Sequence, residues 1–319
     1  MEILNNLGFS LNATMPIFLM MILGYLLRRF GFIDEITTKN INRLVFRIFL
    51  PALLFMDLIS QDFLAIWDTK MVLFCFVATL ASIGIAILVS LLHKEKRERG
   101  EIIQAAYRSG AATLGIAFMS NIYDDTSMIA LMIIGSVPLY NIAAVIILSV
   151  TSPENDKTLS RNALIKRTVL DVIKNPIILG IVVGMTWSLC RLPMPVIAEK
   201  SLTYLGNLAS PLALIGLGST FEFTDIKRKW KPTLLITTAK LFAFCIIFLP
   251  IAISLGFTDQ KLVAILTMLG SATTSSCYIM AKNMGHDGVI SSCAVMITTL
   301  LSSFSLTLWL FILRTMGYI

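Results

Sequence analysis

The chain has 319 residues, 56% of them hydrophobic and only 14% charged, with a formal net charge of +7 and a mean hydropathy of +0.83. Soluble domains carry about 25% charged residues, so this composition cannot cover a water-facing globule and excludes an ordinary soluble enzyme, a disordered chain and a nucleic-acid binder. It describes an all-α polytopic membrane protein, in which the basic excess sets orientation in the lipid bilayer.

Ten apolar runs follow in chain order, near 7–27, 41–60, 70–92, 102–122, 127–150, 172–192, 197–220, 233–256, 262–283 and 288–313. Each approaches or exceeds the roughly 20 residues that a membrane-crossing helix needs. None alternates with period two as a barrel strand would. No basic region precedes the first run and no small-residue cleavage site follows it, so it reads as a retained span. Cys75, Cys190, Cys245, Cys277 and Cys293 fall in or beside the runs without a CxxC pair and read as small hydrophobes. The longest connection, about Ser152 to Thr168, lies near the middle of the chain. It divides a first five-helix repeat (1–150) from a second (172–319), with 151–171 as a cytoplasmic linker.

Basic residues sort by side. Seventeen lie in the loops after spans 1, 3, 5, 7 and 9, from Arg28 and Arg29 to Lys282. Five lie on the other side: Lys70, Arg191, Lys200, Lys261 and Arg314. The positive-inside rule makes the first set cytoplasmic and places both termini outside a plasma membrane.

Offset against itself by 160 residues, the chain matches Pro16 to Pro176, Gly24 to Gly184 and Pro51 to Pro211. It also matches Asp62-Phe63 to Glu222-Phe223, and Gly110-Ala-Ala-Thr113 to Gly270-Ser-Ala-Thr273. An odd number of spans per repeat inverts the second copy, so two five-helix halves predict an inverted repeat of the kind found in secondary transporters, with a site at the midplane.

Charges within spans cost about 2.5–3.5 kcal/mol each and need a reason. Arg47 and Lys174 lie near the cytoplasmic ends and can snorkel. Arg108 lies about 9 Å into span 4 and Lys240 about 10 Å into span 8, at 1.5 Å per residue. Asp57 is an acid within span 2, near its outer end. The excess of buried positive charge favours an anionic substrate. Runs of Gly, Ser and Thr at Arg108–Ile116 and Gly270–Ser276 predict breaks in spans 4 and 9, whose freed N–H groups and half-helix dipoles attract an anion. Gly180 and Gly184 read as a close-packing pair. Asn141 and Asn207 are uncharged candidates to line a cavity. His93 and His286 stand alone at membrane edges, which predicts no metal site; no phosphate-binding loop or enzymatic constellation occurs, and no cofactor is implied.

These residues together give a resemblance to the auxin efflux carrier family, including its bacterial malate- and malonate-permease-like members. It rests on Asn175-Pro176 with Gly184, Ser210-Pro-Leu-Ala-Leu-Ile-Gly-Leu-Gly218, Lys240 with Pro250, Tyr278-Ile-Met-Ala-Lys282, Arg108 to Gly115-Ile116, and Leu139-Tyr-Asn141. The resemblance implies ten spans in two inverted repeats. Spans 1, 2, 6 and 7 would form a scaffold, and spans 3–5 and 8–10 a transport domain that moves against it like an elevator. Broken spans 4 and 9 would cross at the site. Family members carry a proline in each crossing helix and an Asn after the span 4 arginine; here those positions are Ala117, a residue near Ala272, and Gly110. A homodimer through the scaffold is also implied.

The expected function is secondary active transport of a small organic anion, a dicarboxylate such as malate or malonate before an aromatic weak acid, with protons as a candidate coupling ion. The expected substrate-binding residues are Arg108, Gly110, Thr113, Gly115, Asn141, Lys240, Gly270, Thr273, Thr274 and Ser275. Two rivals are a sodium-coupled symporter of the bile-acid type, whose sodium sites need more Asp, Asn or Gln near the crossing, and a membrane-embedded sensor that binds a metabolite without moving it.

Overall fold

In the computed structural model the described residues are 2–59, 67–111, 115, 119, 122–123, 127–153 and 161–319, and among them every regular element is a helix. The first half holds α1 (Glu2–Arg29), α2 (Glu35–Leu44), α3 (Leu50–Ile59), α4 (Thr69–Ser90), α5 (Arg99–Tyr107) and α6 (Ser127–Val150). The second holds α7 (Arg161–Lys174), α8 (Pro176–Leu189), α9 (Val196–Asn207), α10 (Ala209–Ser219), α11 (Phe223–Arg228), α12 (Trp230–Thr238), α13 (Phe244–Ser254), α14 (Asp259–Gly270), α15 (Ser276–Asn283) and α16 (Val289–Thr315).

Among the described residues, four stretches are long and apolar enough to cross a membrane unbroken: α4, α6, α12 through α13, and α16. Their ends fall within a few residues of the apolar runs. A fifth candidate is the pair of α7 (from Thr168) and α8, bent by 56°. The bend has a local cause. Pro176 opens α8 and cannot donate to the preceding turn, while Asn175 is extended and its side chain accepts from the N–H of Ile177. Run 7–27 lies within the single helix α1, whereas several of the other runs are subdivided. Run 102–122 stops helically at Tyr107, and run 262–283 is interrupted between Gly270 and Ser276. Two wide-turn segments, Val45–Phe49 and Ala239–Ala243, each carry a basic residue, Arg47 and Lys240.

Apolar burial forms two clusters. One gathers Cys75, Ile102, Leu131, Phe244, Leu266 and Leu306 from α4–α6, α13, α14 and α16. The other gathers Met21, Leu50, Leu54, Ile181, Ala213 and Leu217 from α1, α3, α8 and α10, with Val145 and Ile279 reaching in from α6 and α15. The helices of the second cluster approach through glycine. A Cβ on Gly24 of α1 would lie 2.2 Å from the Ile215 carbonyl oxygen of α10, and one on Gly184 of α8 would lie 3.1 Å from Cα of Phe55 of α3. These two contacts are related by the 160-residue offset, since Gly24 matches Gly184 and Phe55 matches Ile215.

Candidate functional site at the meeting of two broken helices

The two breaks meet. Arg108 leaves the helical region at φ −71° and ψ 137° and ends α5; Ser271 does the same at φ −77° and ψ 164° and ends α14. Each break then satisfies backbone groups freed by the other, as burial at membrane depth requires. The Gly110 N–H donates to the Ala272 carbonyl at 2.8 Å, and the Thr273 hydroxyl donates to the Ala105 carbonyl at 2.8 Å. The Ser109 hydroxyl bonds Ser271 and reaches the Thr267 carbonyl at 3.2 Å, while Gln104 Nε2 donates to the Cys277 carbonyl at 3.0 Å. The expectation of freed N–H groups is therefore corrected at two positions. The N–H of Gly110 is spent on Ala272, and that of Thr273 on the Thr298 hydroxyl at 3.0 Å.

Lys240 stands behind this meeting point. Its Nζ lies 3.3 Å from the carbonyl oxygens of both Tyr107 and Met268, and the residue is 1% exposed. These carbonyls belong to the last turns of α5 and α14, the negative ends of two helix dipoles. The converging helix ends hold the ammonium, and Lys240 is not among the residues lining the cavity beside the breaks. The sequence suggested a charge presented to substrate; the geometry makes it a clamp between two half-helices.

That cavity measures about 310 Å³, at the small end of the roughly 300–1,000 Å³ typical of small-molecule sites. Of the residues expected at the site, Arg108, Gly110, Asn141, Thr274 and Ser275 line it, together with Asp57, Tyr140, Ser210 and Ser276. Leu50, Leu53, Leu54 and Val137 supply an apolar wall. Arg108 is buried, and its guanidinium bonds neutral groups: Nη2 donates to Asn141 Oδ1 and Ser276 Oγ, each at 2.8 Å, and Nη1 approaches Met280 Sδ at 2.6 Å. Its Nε is buried without an acceptor. Asn141 is oriented for this role because its Nδ2 donates to the Val137 carbonyl at 2.9 Å, which turns Oδ1 toward Arg108. Ser276 is the first residue of α15, so the guanidinium sits at the positive end of that helix.

Thr273 lines a smaller side chamber of about 70 Å³ bounded also by Gly110, Ser210, Thr274 and Ser275. Gly115 packs against Ile129 and Thr267, and Gly270 against Cys245 and Leu306; neither lines the main cavity. Thr113 lies outside the described residues.

Two residues were undervalued by sequence reasoning. Asp57 shares a helical face with Leu50, Leu53 and Leu54, a spacing that could have pointed to it. Glu101 is 2% exposed, one residue outside the predicted edge of span 4; its carboxylate accepts the N–H groups of Gly288 and Ser291, each at 2.9 Å, and caps α16. Larger cavities of about 570 and 540 Å³ lie beside the wide turn Val45–Phe49 and along α2, lined by Arg47 and Lys174 and by Lys39, Arg43 and Lys282 respectively. Their lysines and arginines stand beside Asp171 and Glu35, whereas the smaller cavity gathers convergent polar groups around a buried cation.

Two loop ion pairs brace the ends of the helices. Lys261 Nζ lies 2.6 Å from Asp68 Oδ2, and its hydrogen bond holds that carboxyl below the usual carboxylate range. At the other end, Glu98 bonds His93 at 2.8 Å and also Lys229; partial burial pushes its carboxyl up, but the two hydrogen bonds outweigh that and leave it low.

A multi-pass helical protein with two broken helices around a buried arginine has the build of a membrane carrier. The comparison with known proteins agrees: the profile of the family described as "Membrane transport protein" matches residues 9–310. The chain belongs to that family, the auxin efflux carrier family of the sequence resemblance. It is also similar to an uncharacterized transporter of Methanothermobacter thermautotrophicus, 23% identical over 308 residues, which cover 94% of this chain and 97% of that protein.

Proposed function

We propose that this chain is a secondary active transporter of a small organic anion. The observation that carries the reading is Arg108. A buried guanidinium with an unpartnered Nε faces a small-molecule cavity at the positive end of α15, so charge and dipole both invite an anion. Asn141 and the hydroxyls of Thr274, Ser275 and Ser276 supply neutral hydrogen bonds around it.

The working cycle is alternating access of the elevator type. The 160-residue offset, together with the matched contacts Gly24–Ile215 and Gly184–Phe55, supports two inverted five-helix repeats of ten spans in all, 1–150 and 172–319, joined by a linker at 151–171. Spans 1, 2, 6 and 7 form the scaffold, spans 3–5 and 8–10 carry the site, and a homodimer would meet through the scaffold. The loop charges support a plasma-membrane orientation with both termini outside.

A dicarboxylate such as malate or malonate is the first substrate class. The apolar wall of Leu50, Leu53, Leu54 and Val137 favours an aromatic weak acid as the second. The test is uptake of labelled malate into liposomes containing the purified chain, sodium absent, challenged with unlabelled malonate and indole acetate. Saturable uptake is expected, and the stronger competitor assigns the class. Uptake that requires sodium would replace this reading with a sodium symporter. Tight binding without flux would replace it with a sensor.

A further inference from the structure

Among the described residues that line the cavity beside the breaks, two are charged: Arg108 and Asp57. Among the described residues, the elements packed around Asp57 add no third to the lining. α8 carries no titratable side chain, and on α9 Glu199, Lys200 and Tyr204 are exposed and outside the lining. α10 contributes Ser210, α6 contributes Tyr140 and Asn141, and the start of α15 contributes hydroxyls. Arg47, in the wide turn before α3, opens instead into the two basic cavities.

The charges then decide what can enter. With Asp57 ionised these two charges sum to zero, and an anion that arrives adds negative charge against the leucine wall. Such charge is costly at membrane depth, and a second negative group in one site favours protonation of the first. A proton on Asp57 removes one negative charge whenever the anion is present, and costs nothing in contacts to Arg108, whose hydrogen bonds already run to neutral partners.

We propose that Asp57 is the proton-binding partner of the transported anion. The cavity takes up its anion together with a proton on the Asp57 carboxylate and returns both on the far side. An inward proton gradient then drives anion entry. This rests on the anion-carrier reading above, and the test separates the two.

The full chain is reconstituted with the membrane potential clamped, and accumulation of labelled malate is measured against the imposed pH gradient. Coupling of one proton per anion raises accumulation by about tenfold per unit of inward gradient. The ratio of uptake with and without the gradient should fall to about one in Asp57→Asn, whatever its residual rate, and stay well above one in Asp57→Glu. A second readout uses wild-type protein labelled with 13C-aspartate, so that it does not depend on how a variant folds. Malate should induce an infrared band of a protonated carboxyl group bearing the aspartate isotope shift. Uptake that ignores the gradient, a gradient response that persists in Asp57→Asn, or no isotope-shifted band overturns the Asp57 proposal alone. Neither binding nor flux of malate, malonate or indole acetate by wild type overturns the carrier reading, and this proposal with it.

Discussion

The backbone N–H of Gly110 donates to the carbonyl of Ala272 across 2.8 Å, so the break in the first half of the chain is closed by the break in the second. Ser109 with Ser271 and Thr273 with Ala105 tighten the same junction. With the Gly110 N–H paired here and the Thr273 N–H spent on Thr298, the proposed substrate would meet side chains, above all Arg108, more than open backbone.

Removing that guanidinium should therefore abolish transport. Arg108→Gln loses the charge at the start of α15, and a buried charged contact is worth about 2–5 kcal/mol to its ligand. Saturable malate uptake should fall by at least about 30-fold, with expression and monodispersity retained. Arg108→Lys should recover only part, because one ammonium cannot serve Asn141, Ser276 and a ligand in the planar geometry of the guanidinium. Unchanged kinetics in Arg108→Gln would remove this residue from the site.

Lys240 should behave oppositely. Lys240→Met leaves the last-turn carbonyls of Tyr107 and Met268 without their donor, at a cost of about 1–3 kcal/mol. The melting temperature in detergent should drop, and the KM for malate should change less than twofold to threefold, as roughly expected of a group outside the cavity. A large rise in KM without loss of stability would return Lys240 to the substrate.

The glycine contacts give a graded series. Alanine at Gly24 would place its Cβ 2.2 Å from a carbonyl oxygen, at Gly184 3.1 Å from a Cα, and at Gly84 in open space. Forcing extra volume into such a contact costs about 1–3 kcal/mol, whereas Gly→Ala in an open helix is favourable by up to about 1 kcal/mol. The expected order of thermal stability is Gly84→Ala highest, Gly184→Ala lower and Gly24→Ala lowest. Equal melting temperatures across the three would refute close packing at these positions.

The pair of Asp68 and Lys261 predicts a pH effect of definite sign. Because Lys261 holds the Asp68 carboxyl low, the ionised form favours the folded state above the ordinary carboxylate range, and this contribution disappears as pH falls through the lowered value. The pair is solvent-accessible and worth at most about 1 kcal/mol. Asp68→Asn keeps a side-chain acceptor for the Met71 N–H that Asp68 Oδ1 receives at 3.1 Å. It should melt slightly below wild type at pH 7, by a margin that shrinks as pH falls through the lowered value. A difference that grew toward acid would contradict this assignment.

The sequence made the long helices legible because twenty apolar residues have few other solutions. Thr69–Ser90, Ser127–Val150 and Val289–Thr315 lie close to where hydropathy placed them. The breaks were legible as clusters of Gly, Ser and Thr, although α5 stops at Tyr107, before the first glycine of its cluster. Lys240 was misleading because its partners are backbone carbonyls, which leave no trace in residue identity. Asp57 was undervalued because depth along a helix is visible in sequence while the direction it faces depends on which helices gather around it. Glu101 was passed over because its partners, the N–H groups of Gly288 and Ser291, belong to a helix much later in the chain.

The reciprocal glycine seams bear on how the protein is made. α1 finds its groove on α10, and α3 finds its own on α8, so the closest partners of two early helices are translated only after the midpoint of the chain. Until then Gly24 and Phe55 face lipid or the insertion machinery instead of Ile215 and Gly184. α1 and α3 wait in the bilayer without these partners, and their final packing is set when the later half leaves the ribosome. Supplying the two halves as separate polypeptides in one membrane should therefore rebuild the native fold, whereas the first half alone would lack the surfaces that seat α1 and α3.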